Sequence, residues 1–272
     1  MGATTHPAWV PAPARPRIAE REVHVWRADL ATLGEADGGA AQARLDGLLS
    51  TQERARAARY ARARDGRLWA AARGVLRELL GRYTESDPRA LRFATTGRHG
   101  KPALAGAALC FNLAHSGGLA LYAVGDASNA VGVDVERGRP QIDAVALAGR
   151  VFGPGEAQRL QALDPEARRR EFLRAWVRHE ARLKCRGAGL FAAQGQPREG
   201  ELGERELGVG ELGERELPER GPRECEPQEP LWIAELEVAP EIPGAVAAAQ
   251  APRELLCWEY ALPGGAAEPR RG

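Results

Sequence analysis

The chain has 272 residues, 44% of them apolar, which is enough to bury a sizeable core. Its 38 Lys and Arg balance 37 Asp and Glu to a net charge of +1, so no global field draws in nucleic acid or an anionic membrane, and neither is expected as a partner. The four cysteines (Cys110, Cys185, Cys225, Cys257) have neither C-x-x-C nor zinc-type spacing. No apolar run approaches the ~20 residues of a membrane-spanning helix. The first twenty residues lack the charged start and apolar block of a signal peptide, and a cytoplasmic location is expected.

In chain order, residues 1–20 are rich in Pro and Ala and read as a loose arm. EVHVWRADL, from Glu22 to Leu30, alternates like a first strand. From Ser50 to about Tyr83 apolar residues recur at helical spacing, giving one or two helices, with Ser50 as N-cap and Glu53 completing a capping box. LRFATT follows, then a turn, GRHGKP, that puts Lys101 on an exposed loop. LCFNLAHSGGLALYAVG reads as paired strands around a Gly-Gly break, and AVGVDVE as another strand. Residues 141–190 return to helix, with Asp164-Pro165 opening a long charged helix over Glu166 to Arg186. LWIAELEVA and LLCWEYAL supply two last strands. Helices followed by strands in each half give an α+β architecture, divided into residues 21–130 and 131–272.

Residues 192–230 stand apart. The octamer GELGEREL occurs at Gly200–Leu207 and again at Gly210–Leu217, and residues 191–230 carry 11 Glu against 5 Arg, leaving +7 on the remainder. Such a composition buries too little apolar surface to offset its ordering entropy, so a disordered acidic insertion is expected.

Of the 38 basic residues only Lys101 and Lys184 are lysines. A lysine retained against that bias is a candidate for work needing a compact, movable charge rather than a planar fork. In the strand Val131-Gly132-Val133-Asp134-Val135-Glu136, three valines point to one face and Asp134 and Glu136 to the other. Two carboxylates so placed can share a cation such as Mg²⁺, or can simply form an acidic solvent face. In Trp176-Val177-Arg178-His179-Glu180-Ala181-Arg182-Leu183-Lys184, Trp176, Glu180 and Lys184 lie one turn apart on one helix face. Glu180 can be a third ligand, or half of an ordinary surface ion pair. Phe111-Asn112-Leu113-Ala114-His115-Ser116-Gly117-Gly118 sets a histidine before glycines whose amides can approach an anion.

Taken together, GKP, FNLAHSGG, VGVDVE and WVRHEARLK resemble the 4'-phosphopantetheinyl transferase superfamily, specifically its monomeric surfactin-synthetase-activating type, from about Ser50 to Leu190. The resemblance implies two pseudo-symmetric halves, each with helices packed on a small antiparallel sheet, and a ligand cleft between them. It implies transfer of the 4'-phosphopantetheine arm of coenzyme A to a serine of an acyl or peptidyl carrier protein, with release of 3',5'-ADP. Asp134, Glu136 and Glu180 would hold Mg²⁺. His115 with Ser116 would meet a phosphate, Lys101 and Pro102 the 3'-phosphoadenosine, and Lys184 the pyrophosphate and leaving group. Arg67 and Arg73 are further nucleotide candidates, and Glu156 matches an acidic position near the metal. Either Glu180 or a metal-bound water would take the proton of the carrier serine. His179 stands where the family often has lysine, and Ala114 where it has serine. The competing readings are a non-catalytic coenzyme A-binding or carrier-docking protein of the same fold, and another Mg²⁺-dependent phosphotransferase.

Overall fold

The computed structural model describes residues 7–35, 39–96, 101–138, 142–187 and 230–262. In chain order these form β1 (Val10–Pro11), β2 (Glu22–Asp29), α1 (Leu30–Glu35), α2 (Ala40–Asp46), α3 (Thr51–Ala57), α4 (Ala63–Thr84), β3 (Phe93–Thr96), β4 (Lys101–Leu104), β5 (Leu109–Ser116), β6 (Leu119–Asp126), β7 (Val131–Val135), α5 (Ala144–Val151), α6 (Pro154–Gln161), α7 (Pro165–Cys185), β8 (Trp232–Ala239), β9 (Ile242–Ala248) and β10 (Glu254–Glu259). The α+β expectation holds. Five strands form one sheet in the order β1-β10-β2-β6-β5, three form a second in the order β7-β9-β8, and β3 pairs with β4.

Alternation along β2 and β6 explains the layering. Trp26, Tyr122 and Val124 share a core with Val75, Leu76 and Leu79 of α4, whereas Val23, Val25, Leu121 and Ala123 share another with Val131, Val133 and Val246 of the second sheet. The first sheet is thus buried on both faces, between α4 and the second sheet. Behind the second sheet, Val177, Ala181 and Cys185 of α7 pack on Ala245 and Ala247 of β9. The order of layers is α4, sheet, sheet, α7.

Local signals account for many element ends. Ser50 caps α3 with its side chain on the Glu53 amide while the Glu53 carboxylate takes the Ser50 amide. Asp164 caps α7 ahead of Pro165. Gly117 and Gly118 turn β5 into β6 with φ of +54° and +95°, as a two-residue hairpin loop requires.

The structure departs from the sequence reading in several places. The five-stranded sheet is mixed rather than antiparallel, because β10, from the far end of the chain, runs parallel to β2, and β1 parallel to β10; strand order across such a distance leaves no local mark. Strand β9 was not expected, since its sequence IPGAVAA is poor in β-branched residues. Its small side chains are what α7 needs to come close. The arm is held where it is described: Trp9 donates from Nε1 to the Glu237 carbonyl at 2.7 Å, and the Arg27 guanidinium lies 4.8 Å from the Trp9 ring centre. The acidic stretch 192–229 lies outside the described residues. Among the described residues no helix is long and apolar enough to cross a membrane.

Candidate functional site

The site is made by β7 and α7. Because Val131, Val133 and Val135 face the first sheet, Gly132, Asp134 and Glu136 face α7. The acidic face of the strand is therefore not a solvent face: Asp134 and Glu136 are 5% and 4% exposed. Gly132 lets the backbones approach, since a Cβ there would lie 2.2 Å from both the Ala181 carbonyl oxygen and the Cys185 amide nitrogen. That approach brings Glu180, itself 6% exposed, and Lys184 one turn further to the carboxylates of the strand.

Lys184 donates from Nζ to Asp134 Oδ1 at 2.9 Å. Ser116 donates from Oγ to Glu136 Oε2 at 3.0 Å and accepts the Arg137 amide at 3.2 Å, holding the end of β7 against the hairpin. Glu180 Oε1 is buried with no hydrogen-bond partner among the described residues, and so is Trp176 Nε1 one turn earlier. Burial pushes the Glu180 carboxyl up to about 8; Asp134 and Glu136 add to that rise, and Lys184 opposes it. Three buried carboxylates, one of them bonded by the Lys184 ammonium, are oxygen donors of the chemical type a hard cation takes. Among the described residues no group of three or more His, Cys, Asp or Glu side chains is placed to hold a metal ion as it stands; Lys184 bonds the Asp134 oxygen.

The remaining expected residues take distinct places. On β5, Asn112, Ala114 and Ser116 face the second sheet, so Ala114 lies in the core between the sheets. His115, half-buried opposite Ala120, projects from the other face, with Phe111 and Leu113. Lys101 is not on an exposed loop but opens β4, half-buried, because its ammonium is drawn to two backbone carbonyls: Val131 at 2.7 Å and Cys185 at 3.2 Å. Burial lowers its pKa. Pro102 beside it is exposed.

Arg67 is exposed on α4. Arg73 gives its Nε to Glu53 Oε1 at 2.6 Å and stacks its guanidinium 4.0 Å from the Phe93 ring centre. Glu156 is bound by Arg159 through both carboxylate oxygens, at 3.0 and 2.8 Å, and that bond holds it below the usual carboxylate range. His179 packs edge-on to Phe152 at 5.4 Å. Sequence reasoning missed Asn112, whose Oδ1 accepts the Val133 amide at 2.8 Å. A polar residue unfavourable in strands, set in the middle of one, was the available signal.

Comparison with known proteins bears on this same stretch. Residues 130–200 match the family model described as the 4'-phosphopantetheinyl transferase superfamily. The chain is 38% identical over 187 residues to the 4'-phosphopantetheinyl transferase HetI of Nostoc sp., covering 67% of this chain and 76% of that protein. It is 44% identical over 92 residues to the 4'-phosphopantetheinyl transferase AcpT of Salmonella typhimurium, covering 34% and 47%. To a 4'-phosphopantetheinyl transferase of Bacillus subtilis it is 32% identical over 105 residues, covering 38% and 45%.

Proposed function

The chain belongs to the 4'-phosphopantetheinyl transferase superfamily, and from that premise we propose that it moves the 4'-phosphopantetheine arm of coenzyme A onto a serine of an acyl or peptidyl carrier protein. The serine oxygen bonds to the phosphorus that carries the pantetheine arm, the pyrophosphate bond breaks, and 3',5'-ADP leaves. The observation that carries the reading is the buried trio Asp134, Glu136 and Glu180 beside Lys184, with Glu180 Oε1 left without a hydrogen bond among the described residues.

Asp134, Glu136 and Glu180 would hold Mg²⁺. When bound, the ion supplies positive charge against the pyrophosphate as its bond breaks. Lys184, moving off Asp134, supplies its ammonium to the leaving nucleotide. Glu180, or a water held by the ion, would accept the serine proton. Ser116 fixes the rotamer of Glu136 through its 3.0 Å bond. His115, Pro102 and the exposed Arg67 are assigned to the phosphates and the nucleotide. Arg73 is assigned to Glu53, which already engages it, and Glu156 to its ion pair with Arg159.

The coenzyme lies in this reading in a cleft between the two halves. All three carboxylates come from one chain, so a monomer of the surfactin-synthetase-activating type suffices. The protein would be cytoplasmic, where coenzyme A and carrier proteins meet. The test is to incubate it with coenzyme A, Mg²⁺ and an apo carrier, then weigh the carrier by intact-mass spectrometry. A gain of one phosphopantetheine arm, abolished by EDTA and by Asp134→Ala, is expected. Coenzyme A binding without transfer to any of several carriers would move the protein to a non-catalytic role.

A further inference from the structure

Strand β7 is an edge strand: one side pairs with β9, and the other meets the edge of the first sheet. An edge buried in this way leaves backbone groups that must find partners. Two of them are met by side chains rather than by a ladder. Asn112 Oδ1 accepts the Val133 amide at 2.8 Å, and Lys101 Nζ donates to the Val131 carbonyl at 2.7 Å. The same ammonium donates to the carbonyl of Cys185, the last residue of α7, at 3.2 Å. Carbonyls at a helix C-terminus lack partners within the helix and carry the negative end of its dipole, so a cation is favoured there.

We infer that Lys101 is a positioning residue that sets the spacing between the two elements bearing the carboxylates, by holding both their backbones rather than the nucleotide, while Asn112 fixes the β7 side of that grip. Lys101 grips both elements beside Gly132, where a Cβ would strike the α7 backbone. Asp134 lies about 10 Å along β7 from the grip, and Glu180 about 7.5 Å back along α7. A shift at this end therefore changes the gap across which Asp134, Glu136 and Glu180 face one another. The chemistry suits lysine: a compact ammonium can donate to carbonyls of two different elements, where a planar guanidinium would have to spread them. In a chain whose one other lysine is Lys184, this explains why a lysine stands here.

The inference rests on the transferase reading, and the test separates the two. Lys101→Met, Lys101→Arg, Asn112→Leu and Asn112→Asp are compared with the parent in three measurements. These are hydrogen exchange over residues 131–136 and 181–187, calorimetric affinity for coenzyme A and for 3'-dephospho-coenzyme A, and the Mg²⁺ concentration giving half-maximal transfer. Lys101→Met and Lys101→Arg are expected to speed exchange in both segments, Asn112→Leu in residues 131–136 alone, and all three to raise the Mg²⁺ requirement, the Lys101 variants about tenfold. The ratio of the two coenzyme affinities should stay within about twofold of the parent, because no nucleotide contact is lost. Asn112→Asp, which keeps the acceptor oxygen, should behave as the parent. The inference is overturned if Lys101→Met weakens coenzyme A but not the 3'-dephospho form, with Lys101→Arg restoring the difference and exchange unchanged. A parent that neither binds coenzyme A nor modifies a carrier would overturn the transferase reading instead, and the exchange comparison would still decide the clamp.

Discussion

Lys184 and Asp134 form a largely buried ion pair at 2.9 Å, with side-chain exposures of 18% and 7%, and that pair occupies one of the oxygens a cation would need. The ammonium and Mg²⁺ therefore compete. Replacing Lys184 by Met removes the ammonium bonded to the buried Asp134 carboxylate, which should cost about 3 kcal/mol in EDTA at pH 7.5. Added Mg²⁺ should recover most of that loss, and should bind the variant more tightly than the parent. Transfer should nonetheless fall at least about a hundredfold, because the charge meant for the leaving nucleotide is gone. Thermal unfolding with and without Mg²⁺, beside single-turnover transfer, tests both halves. A variant as stable as the parent in EDTA would show that the pair contributes nothing.

Glu180 gives the protein a pH dependence opposite to that of most carboxylates. Burial, with Asp134 next to it, pushes its pKa up to about 8. A carboxyl raised above its unfolded value of about 4.3 adds stability that is complete below that value. That stability is lost as pH rises through the folded pKa. In EDTA the parent should thus weaken steadily between about pH 5 and pH 8, whereas Glu180→Gln, neutral throughout, should not. At pH 9 the variant is expected to be the more stable by on the order of 2–4 kcal/mol, with the gap closing near pH 5. Urea unfolding at the two pH values decides it, and parallel curves would refute the assignment.

How much of this was visible in the sequence follows the range of the interactions. The period of two in VGVDVE put Asp134 and Glu136 on one face, and the period of 3.6 in WVRHEARLK aligned Glu180 with Lys184. Both are local and both were legible. That the two faces meet is a tertiary fact, marked only by Gly132 on the strand and by small residues on α7 and β9. Lys101 looked like a loop lysine because its partners, Val131 and Cys185, lie 30 and 84 residues away. Strand β9 went unseen because Ala, Gly and Pro suit close packing better than they signal a strand. The capping box at Ser50 and the Asp164 cap were legible because their partners lie within three residues.

Gly132 is the tightest constraint on the site. A methyl group there would sit 2.2 Å from backbone atoms of Ala181 and Cys185, which cannot rotate away. Gly132→Ala must push α7 off the sheet, at a cost of about 2–4 kcal/mol. Chemical denaturation should register that loss, and the Mg²⁺ requirement for transfer should rise with it, since the same displacement parts Glu180 from Asp134. Loss of stability with an unchanged Mg²⁺ requirement would show that the carboxylate gap does not depend on this contact.

Far from the carboxylates, Glu53 ties α3 to α4 by accepting from Arg73 at 2.6 Å and Arg77 at 2.7 Å, besides its part in the capping box. Burial alone would raise its pKa, but the two guanidinium bonds outweigh that and hold it below the ordinary value. A depressed carboxylate contributes stability that is present above its unfolded pKa of about 4.3 and is lost as pH falls through the folded pKa. Glu53→Gln leaves Arg77, which is nearly buried, without its counter-charge, and should cost about 3 kcal/mol at pH 7. Below about pH 4 the parent carboxyl is itself becoming neutral, so the two proteins should converge in stability. Because Glu53 holds Arg73, the variant also frees a guanidinium beside Phe93. If coenzyme A affinity, measured by calorimetry at pH 7, rises in Glu53→Gln, Arg73 is available to the nucleotide once released. Unchanged affinity alongside the expected loss of stability would leave Arg73 to the ion pair alone.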